Sequence, residues 1–449
     1  MAHARPPSPT FSERNTAMTA HEQGPSQDAS SADARFLEDF RAMSAFGAMP
    51  SGGVDRQAAT GPDVAQRRWL EGLLAERGLR VVYDRVGNQF GLLERVPGAP
   101  YVVVGSHMDS QPTAGRYDGA YGVLAAAHAV FRIAEQAAAG APDAVYNLAV
   151  VNWFNEEGSR FTPSMMGSAV YTGALPLETA LAARDAAGVT VAEALAPTGF
   201  LGEGDGPEAA FCAEIHVEQG RVLEESSTTI GLVSASWAAR KYAVTVHGEQ
   251  AHSGATVMAD RRDALVGASM LVVAARELAD RFPGVLHTAV GQLDVYPNSP
   301  VVVPSRAELL LDLRSHDEEV LAEADRLLQE QVARIEAAAS VTVEQTLSHS
   351  WGVNPYQPEG VALARASARS LGLSSGEVMT VAGHDSINMK ERVPTVMLFV
   401  PSVGGVSHNE GEYTGDSDLV AGLAVLTDVV RRLGAGELAA DGSYTPGRA

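Results

Sequence analysis

Four widely separated apolar runs in this chain are each followed, at once or after a short loop, by histidine, aspartate or glutamate, and this repetition limits the fold more than any other feature. Tyr101-Val102-Val103-Val104-Gly105-Ser106 leads into His107-Met108-Asp109, with Asp118 close behind in Gly115-Arg116-Tyr117-Asp118-Gly119-Ala120. Val150-Val151-Asn152-Trp153-Phe154-Asn155 leads into Glu156-Glu157, and Phe211-Cys212-Ala213-Glu214-Ile215 into His216. Val396-Met397-Leu398-Phe399-Val400 is followed by Ser407-His408-Asn409-Glu410. Unbroken apolar runs of this kind suit strands buried on both faces of a mainly parallel sheet. In an open α/β sheet, side chains at strand ends converge on one crevice. The adjacent pair Glu156-Glu157 adds to this, because neighbouring carboxylates repel unless water, cations or protons occupy them. Imidazole and carboxylate together suit zinc, manganese or similar divalent ions.

The sequence between these runs fits such a sheet. A helix is expected to open near Arg35 with Phe36 and Phe40. A second follows Gly61-Pro62-Asp63, carries Val64, Trp69, Leu70, Leu73 and Leu74 at helical spacing and stops at Gly78. Strands are expected at 79–84, 88–94, 101–106 and 145–153, with an alanine-rich helix at 119–138. The pattern then changes. Strand 241–247, helix 260–281, strands 286–296 and 306–314, helix 317–339 and strand 341–347 give the order βαββαβ, the split βαβ arrangement of ferredoxin-like domains. The candidate ligands lie on both sides of this block and none within it, so it reads as an insertion. The expected fold class is α/β: a mainly parallel-sheet catalytic domain with helices on both faces (32–233 and 347–433), and an inserted ferredoxin-like domain (234–346). Residues 1–31 read as a disordered extension and 434–449 as a tail.

Charge and cysteine usage exclude some functions. With 33 basic against 55 acidic residues and a formal charge of -22, nucleic acid and anionic membrane are poor partners. The one cysteine, Cys212, rules out an internal disulfide and fits a reducing, cytoplasmic setting. No apolar window approaches the roughly eighteen residues needed to span a bilayer.

His107-Met108-Asp109, Asp118-Gly119-Ala120-Tyr121-Gly122-Val123, Asn155-Glu156-Glu157-Gly158-Ser159-Arg160, His216-Val217-Glu218-Gln219-Gly220, Ala251-His252-Ser253-Gly254, Ala382-Gly383-His384-Asp385 and Ser407-His408-Asn409-Glu410 appear in that order. Together they resemble the hydantoinase/carbamoylase branch of the M20 metallopeptidase family, which includes N-carbamoyl-L-amino acid hydrolases and allantoate amidohydrolases. The resemblance implies two divalent ions per subunit, zinc or else manganese, cobalt or nickel. Asp118 would bridge them, with His107 and His216 on one ion and Glu157 and His408 on the other. It makes Asp109 the outer carboxylate that fixes a ligand imidazole, and Glu156 the general base that later protonates the leaving nitrogen. His252 would stabilise the developing oxyanion in the partner's active site, which implies a homodimer paired through the inserted domain. The ordinary alternative for His252 is a cap on the helix expected from 260. Arg314 would grip the substrate carboxylate, and Gln219, His384 and Arg240 match other pocket positions.

The chain also departs from the family's pattern. Val301 stands where relatives hold an asparagine of the carboxylate clamp, and Asn298 is the nearby candidate to replace it. Val257 replaces a usual proline, and Ser236-Trp237-Ala238-Ala239 replaces a glycine-rich run, which suggests a reshaped pocket. The remaining histidines, His128, His247, His287, His316 and His349, are expected at the surface or as satisfied core residues. The expected activity is metal-dependent hydrolysis of a linear amide or ureido C–N bond in a small carboxylate, foremost an N-carbamoyl amino acid. Allantoate, ureidoglycolate and N-acyl amino acids are the alternatives within the class, and a non-catalytic binding protein of the same fold is the remote one.

Overall fold

The computed structural model describes residues 31–138 and 144–438. The first 30 residues, and the expected tail from 439 onward, lie outside the described residues. The first described helix opens at Ser31, earlier than expected, and runs to Met43. The strands are β1 (Arg80–Tyr83), β2 (Gln89–Leu93), β3 (Tyr101–His107), β4 (Asn147–Trp153), β5 (Ala209–Val217), β6 (Ile230–Ser236), β7 (Ala238–His247), β8 (Ala251–His252), β9 (Leu286–Tyr296), β10 (Val302–Val303), β11 (Arg306–Ser315), β12 (Thr342–Trp351), β13 (Asn354–Pro355), β14 (Ser375–Thr380) and β15 (Thr395–Val400).

The larger sheet has nine strands in the order β1-β2-β4-β3-β5-β15-β6-β13, with β14 also paired to β6. Its central run β4-β3-β5-β15 is parallel, and antiparallel neighbours flank it on both sides. The apolar runs alternate between two cores, as the period of a strand requires. Val102, Val104, Leu148, Val150, Leu398 and Val400 face the helices Ala120–Ala138 and Asp416–Gly434. Val103, Ala149, Val151 and Cys212 face the opposite side, where Met389 of the short helix Asp385–Met389 covers them. Both faces are buried, so these strands carry no polar stripe. Gly122 lets the first long helix approach the sheet, since a Cβ there would overlap the Ile215 carbonyl of β5. The segment after the last long helix is not a free tail at its start, because Leu438 is fully buried in the same core.

The smaller sheet has four strands in the order β12-β7-β11-β9, all antiparallel. With the helices Ala264–Arg281 and Glu318–Ala339 its chain order is βαββαβ, the class expected from sequence. β12 runs on to Trp351, past the boundary expected at 346. Asp263 and Asp317 cap the two helices by accepting from Leu265 and Val266 N–H, and from Glu319 and Val320 N–H. Each such cap contributes about 1 kcal/mol. Asp263, and not His252, therefore closes the first of these helices. Both helices lie on one face of the sheet, where Tyr242, Val244, Val246, Leu309, Leu311 and Leu313 form a separate core with them. Among the described residues no helix covers the other face, and Ala243 and Leu310 are exposed on it. A two-stranded ribbon of β8 and β10 completes this region.

Candidate metal centre and cleft

The four parallel strands at the middle of the large sheet end side by side, and this is what gathers the candidate ligands. His107 closes β3, Glu156 and Glu157 follow β4, His216 lies near the end of β5, and Ser407 and His408 follow β15. Asp118 comes from the turn before the helix Ala120–Ala138. Gly119 completes that turn with φ +61°, a conformation that costs glycine little. A side chain at Gly119 would also collide with the His107 ring.

Two three-residue sets result, His107/Asp118/His216 and Asp118/Glu157/His408, and within each the donor atoms lie within 4.8 Å of one another. Asp118 belongs to both. Its Oδ1 is 3.4 Å from His107 Nε2 and 3.1 Å from His216 Nε2. Its Oδ2 is 3.5 Å from His408 Nε2, which is in turn 3.3 Å from Glu157 Oε2. Asp118 and the first two histidines are buried, while His408 stands exposed on the cleft side.

The outer contacts prepare this donor set for a cation. His107 Nδ1 donates to the Asp109 carbonyl oxygen at 3.0 Å, and His216 Nδ1 to the Val217 carbonyl oxygen at 2.9 Å. Each backbone acceptor fixes the tautomer that leaves Nε2 unprotonated and able to ligate, although His216 Nε2 accepts the Gly119 N–H at 2.9 Å here. This departs from the expectation for Asp109, whose carboxylate lies farther from His107 Nδ1, at 3.6 Å. Its oxygens instead accept the backbone N–H groups of Glu156 (3.2 Å) and Glu157 (3.3 Å). The residue thus orients the histidine through its main chain and the acidic pair through its side chain. Asn155, at φ +52°, turns the chain so that both glutamates follow the strand end inward.

Electrostatics show a surplus of negative charge. Burial alone would raise Asp118, but His216 and His107 overcome it and hold the carboxyl well below its ordinary range. Burial lowers and the surrounding carboxylates raise His107, which ends well above the usual imidazole value. Glu156 is pushed well upward by burial and then by Asp385, Glu157 and Asp109, despite His107. Burial and then Asp118 push Glu157 up to about 8. Glu412 is also raised, by burial and then by Asp118 and Glu157. Crowded, buried carboxyls whose pKa values are raised by one another's charge, beside imidazoles oriented to ligate, suit a site for cations. The donor set therefore fits divalent metal.

Sequence reasoning missed several residues around this centre. Gln111 donates from Nε2 to Glu157 Oε2 (3.0 Å) and from its backbone N–H to Oε1 (3.2 Å). Ser407 Oγ donates to Asp118 Oδ2 at 2.9 Å. Both sit within or beside recognised motifs, and position alone pointed to them. Gln219 joins the same oxygen through Nε2 at 2.7 Å. His384 packs on His216 with ring centroids 4.7 Å apart, and burial followed by the His216 charge holds it well below its ordinary pKa.

A cleft of about 490 Å³ opens from these residues toward the small sheet, where Arg314, Lys241, Trp237, His349 and Trp351 line it. Arg314 donates to Asp312 Oδ2 from Nε (2.8 Å) and to the Val381 carbonyl from Nη1 (2.6 Å). His349 is exposed, as expected, and lines the cleft; His287 and His316, also exposed, flank Trp237 with ring centroids 4.9 and 5.0 Å away. His128, paired with Asp39, and His247, near Glu344, are as expected. Three expected pocket residues do not reach the cleft within this chain. Arg240 pairs with Leu313 in the sheet, on the helix-covered face, and its guanidinium binds Asp325 of the helix Glu318–Ala339. A strand alternates sides, so Arg240 and Lys241 point oppositely. His252 and Asn298 are both exposed, away from the lining of the cleft.

A protein-family model described as Peptidase family M20/M25/M40 matches residues 103–432. A Mycolicibacterium smegmatis protein named only as a hydrolase is 54% identical over 420 residues, 92% of this chain and 96% of its own length. The allantoate amidohydrolase of Bacillus subtilis is 34% identical, over 87% of this chain and 95% of that protein. Among solved structures, an amidase of the hydantoinase/carbamoylase family from Burkholderia vietnamiensis superimposes with a TM-score of 0.85 at 36% identity, covering 91% of this chain and 99% of that one.

Proposed function

Because the chain belongs to peptidase family M20/M25/M40, we propose that it is a dinuclear metal-dependent amidohydrolase that cleaves a linear amide or ureido C–N bond of a small carboxylate. An N-carbamoyl amino acid is the leading substrate, and allantoate is the second reading, favoured by the Bacillus subtilis relative. The observation that carries the proposal is the pair of ligand sets sharing Asp118. His107 and His216 would hold one ion with Asp118, and Glu157 and His408 the other. Zinc, manganese, cobalt and nickel all suit the donors. Bound there, such ions supply Lewis acidity and make water a nucleophile at neutral pH.

The chain's own residues do the rest. Glu156 Oε2, 3.4 Å from His107 Nε2, takes the proton of the attacking water and returns it to the leaving nitrogen. Burial and the neighbouring carboxylates raise its pKa above the ordinary carboxylate range. Asp109 accepts the Glu156 backbone N–H and so holds the main chain from which the carboxyl projects. Arg314 orients the acid end of the substrate.

His252 completes the site from a second subunit in this proposal. Its Nδ1 accepts from Gly254 N–H (3.1 Å) and Ala255 N–H (3.2 Å), which leaves Nε2–H free to donate to an oxyanion. Val257 and Met258 shortly after His252 in the chain, and Val301 beside the paired strand β10, are exposed, as are Val266 and Val273 on the helix Ala264–Arg281. Such an apolar surface suits homodimerisation through the inserted domain. Among the described residues no helix is long and apolar enough to cross a membrane. The buried, unpaired Cys212 fits a cytoplasmic enzyme.

The test is hydrolysis by metal-reconstituted protein across N-carbamoyl amino acids, allantoate, ureidoglycolate and N-acetyl amino acids. Glu156→Gln is expected to lower the best rate by about 10²- to 10⁴-fold while metal content stays unchanged. Retained activity in that variant overturns the assignment.

A further inference from the structure

The cleft-facing side of the small sheet carries two adjacent cross-strand rows. Trp351, Ala239, Arg314 and His287 stand opposite one another in the first, and His349, Lys241, Asp312 and Ala289 in the second. The two cations in these rows differ in what satisfies them. Arg314 is held by Asp312 through Nε and Nη2 (2.8 and 2.7 Å) and by the Val381 carbonyl through Nη1. Lys241 Nζ has no hydrogen-bond or ion-pair partner among the described residues and lies 5.6 Å from the centre of the Trp351 ring. A half-buried ammonium without an acceptor is costly, and an arriving anion would relieve that cost. Burial lowers its pKa, the Asp312 charge opposes that shift, and the Arg314 charge adds a smaller push downward.

The cleft's charges are also divided between its two ends. Asp118, Glu156 and Glu157 occupy its floor, and Lys241 and Arg314 its small-sheet wall. A negatively charged group is repelled from the first and drawn to the second. Glu391, the other carboxylate on that side, already accepts from Asn354 Nδ2 at 2.8 Å. Val301, at the position where a clamp asparagine is expected, is exposed and outside the cleft lining of its own chain.

We infer that Lys241 is the primary anchor for the substrate's carboxylate, held beside the face of Trp351, with the Arg314–Asp312 pair as its orienting neighbour. This rests on the amidohydrolase reading in taking a small acid as the ligand. It makes the strand residue next to Arg240 a specificity determinant for acids over neutral analogues. Lys241→Met keeps the alkyl stem and removes only the charge.

The experiment measures kcat and KM of the metal-loaded parent, Lys241→Met, Lys241→Arg and Arg314→Ala on the N-carbamoyl amino acid turned over fastest, and on its carboxamide. Loss of one charge-assisted contact should raise KM for the acid roughly ten- to hundredfold in Lys241→Met, at least as much as in Arg314→Ala. kcat and the carboxamide should be little affected, and Lys241→Arg should recover most of the loss. An unchanged KM for the acid, or equal weakening of acid and carboxamide, overturns the inference. If nothing in the panel is turned over, the functional reading fails separately. The anchor is then judged by calorimetric binding of N-carbamoyl-leucine to Glu156→Gln with and without Lys241→Met. Weaker binding without the lysine supports it, and equal binding or none in either overturns it.

Discussion

The two sheets of this protein place their chemistry in different ways. In the large sheet, the central strands are parallel and buried on both faces, so polar side chains gather mainly where the strands stop, with the hydrogen-bonded Glu214 inside β5 an exception. His107, Glu156, Glu157, His216 and His408 are all found at or just past those ends. The small sheet is antiparallel and covered by helices on one face only. Its functional candidates, Lys241, Arg314, His349 and Trp351, therefore lie along the open face at every second position. Strand ends concentrate donors from distant segments around a point, which suits metal. An open face spreads them over a surface, which suits recognition of a substrate's remote end.

The largest test of this contrast is at the point of convergence. Asp118→Asn should lose stoichiometric metal and bring turnover to background, because both ligand sets depend on that one carboxylate. Metal analysis together with an activity assay decides it, and a variant that keeps both metals and rate would separate Asp118 from the centre.

The next test is of burial. Leu398→Ala, in a strand covered on both faces, should cost about 2–5 kcal/mol in denaturant unfolding. Leu311→Ala, on the helix side of the small sheet, should cost a similar amount. Leu310→Ala, one residue away and 47% exposed, should stay within about 0.5 kcal/mol. Equal costs at Leu310 and Leu311 would break the picture of a one-sided sheet, or show that a second subunit covers the open face.

Proton linkage offers a smaller effect with a definite sign. Without a cation Glu157 sits at about 8, above its ordinary value of 4.5. Its folded pKa is raised, so its contribution is fully present below the unfolded value and is lost as pH rises through the folded one. Chelated protein should therefore lose thermal stability between about pH 5 and pH 8, and Glu157→Gln should flatten that slope. Metal loading in weak buffer at neutral pH should release protons. No proton release would contradict a ligand role for Glu157.

The smallest expected effect is at Arg240. Arg240→Met should leave KM unchanged and cost only about 1 kcal/mol, because the guanidinium serves Asp325 on the helix side. A large rise in KM would return Arg240 to the cleft.

Much of this was legible in the sequence because the signals were local. Unbroken apolar runs marked the buried parallel strands, and the residue types following them marked the centre. The βαββαβ order emerged from the alternation of strand-like and helix-like periods. Arg240 was harder, since facing depends on register, and a shift of one position reverses every side chain. The same reason hid Lys241, its immediate neighbour. Asp109 was placed in the right neighbourhood, but which of its groups meets His107 depends on how the chain turns after β3.

Sequence alone marked the central strands β3, β4, β5 and β15 as buried and the acidic and imidazole side chains that follow them, because these come from composition and periodicity along a single run, whereas β6 and β14 were not among the expected strands. Only the tertiary structure decided the order β4-β3-β5-β15 that brings those ends together, the face on which each residue of β7 and β11 emerges, and the cleft that joins the two sheets. Those depend on pairings between residues far apart in the chain, and no local pattern encodes the partner or the register.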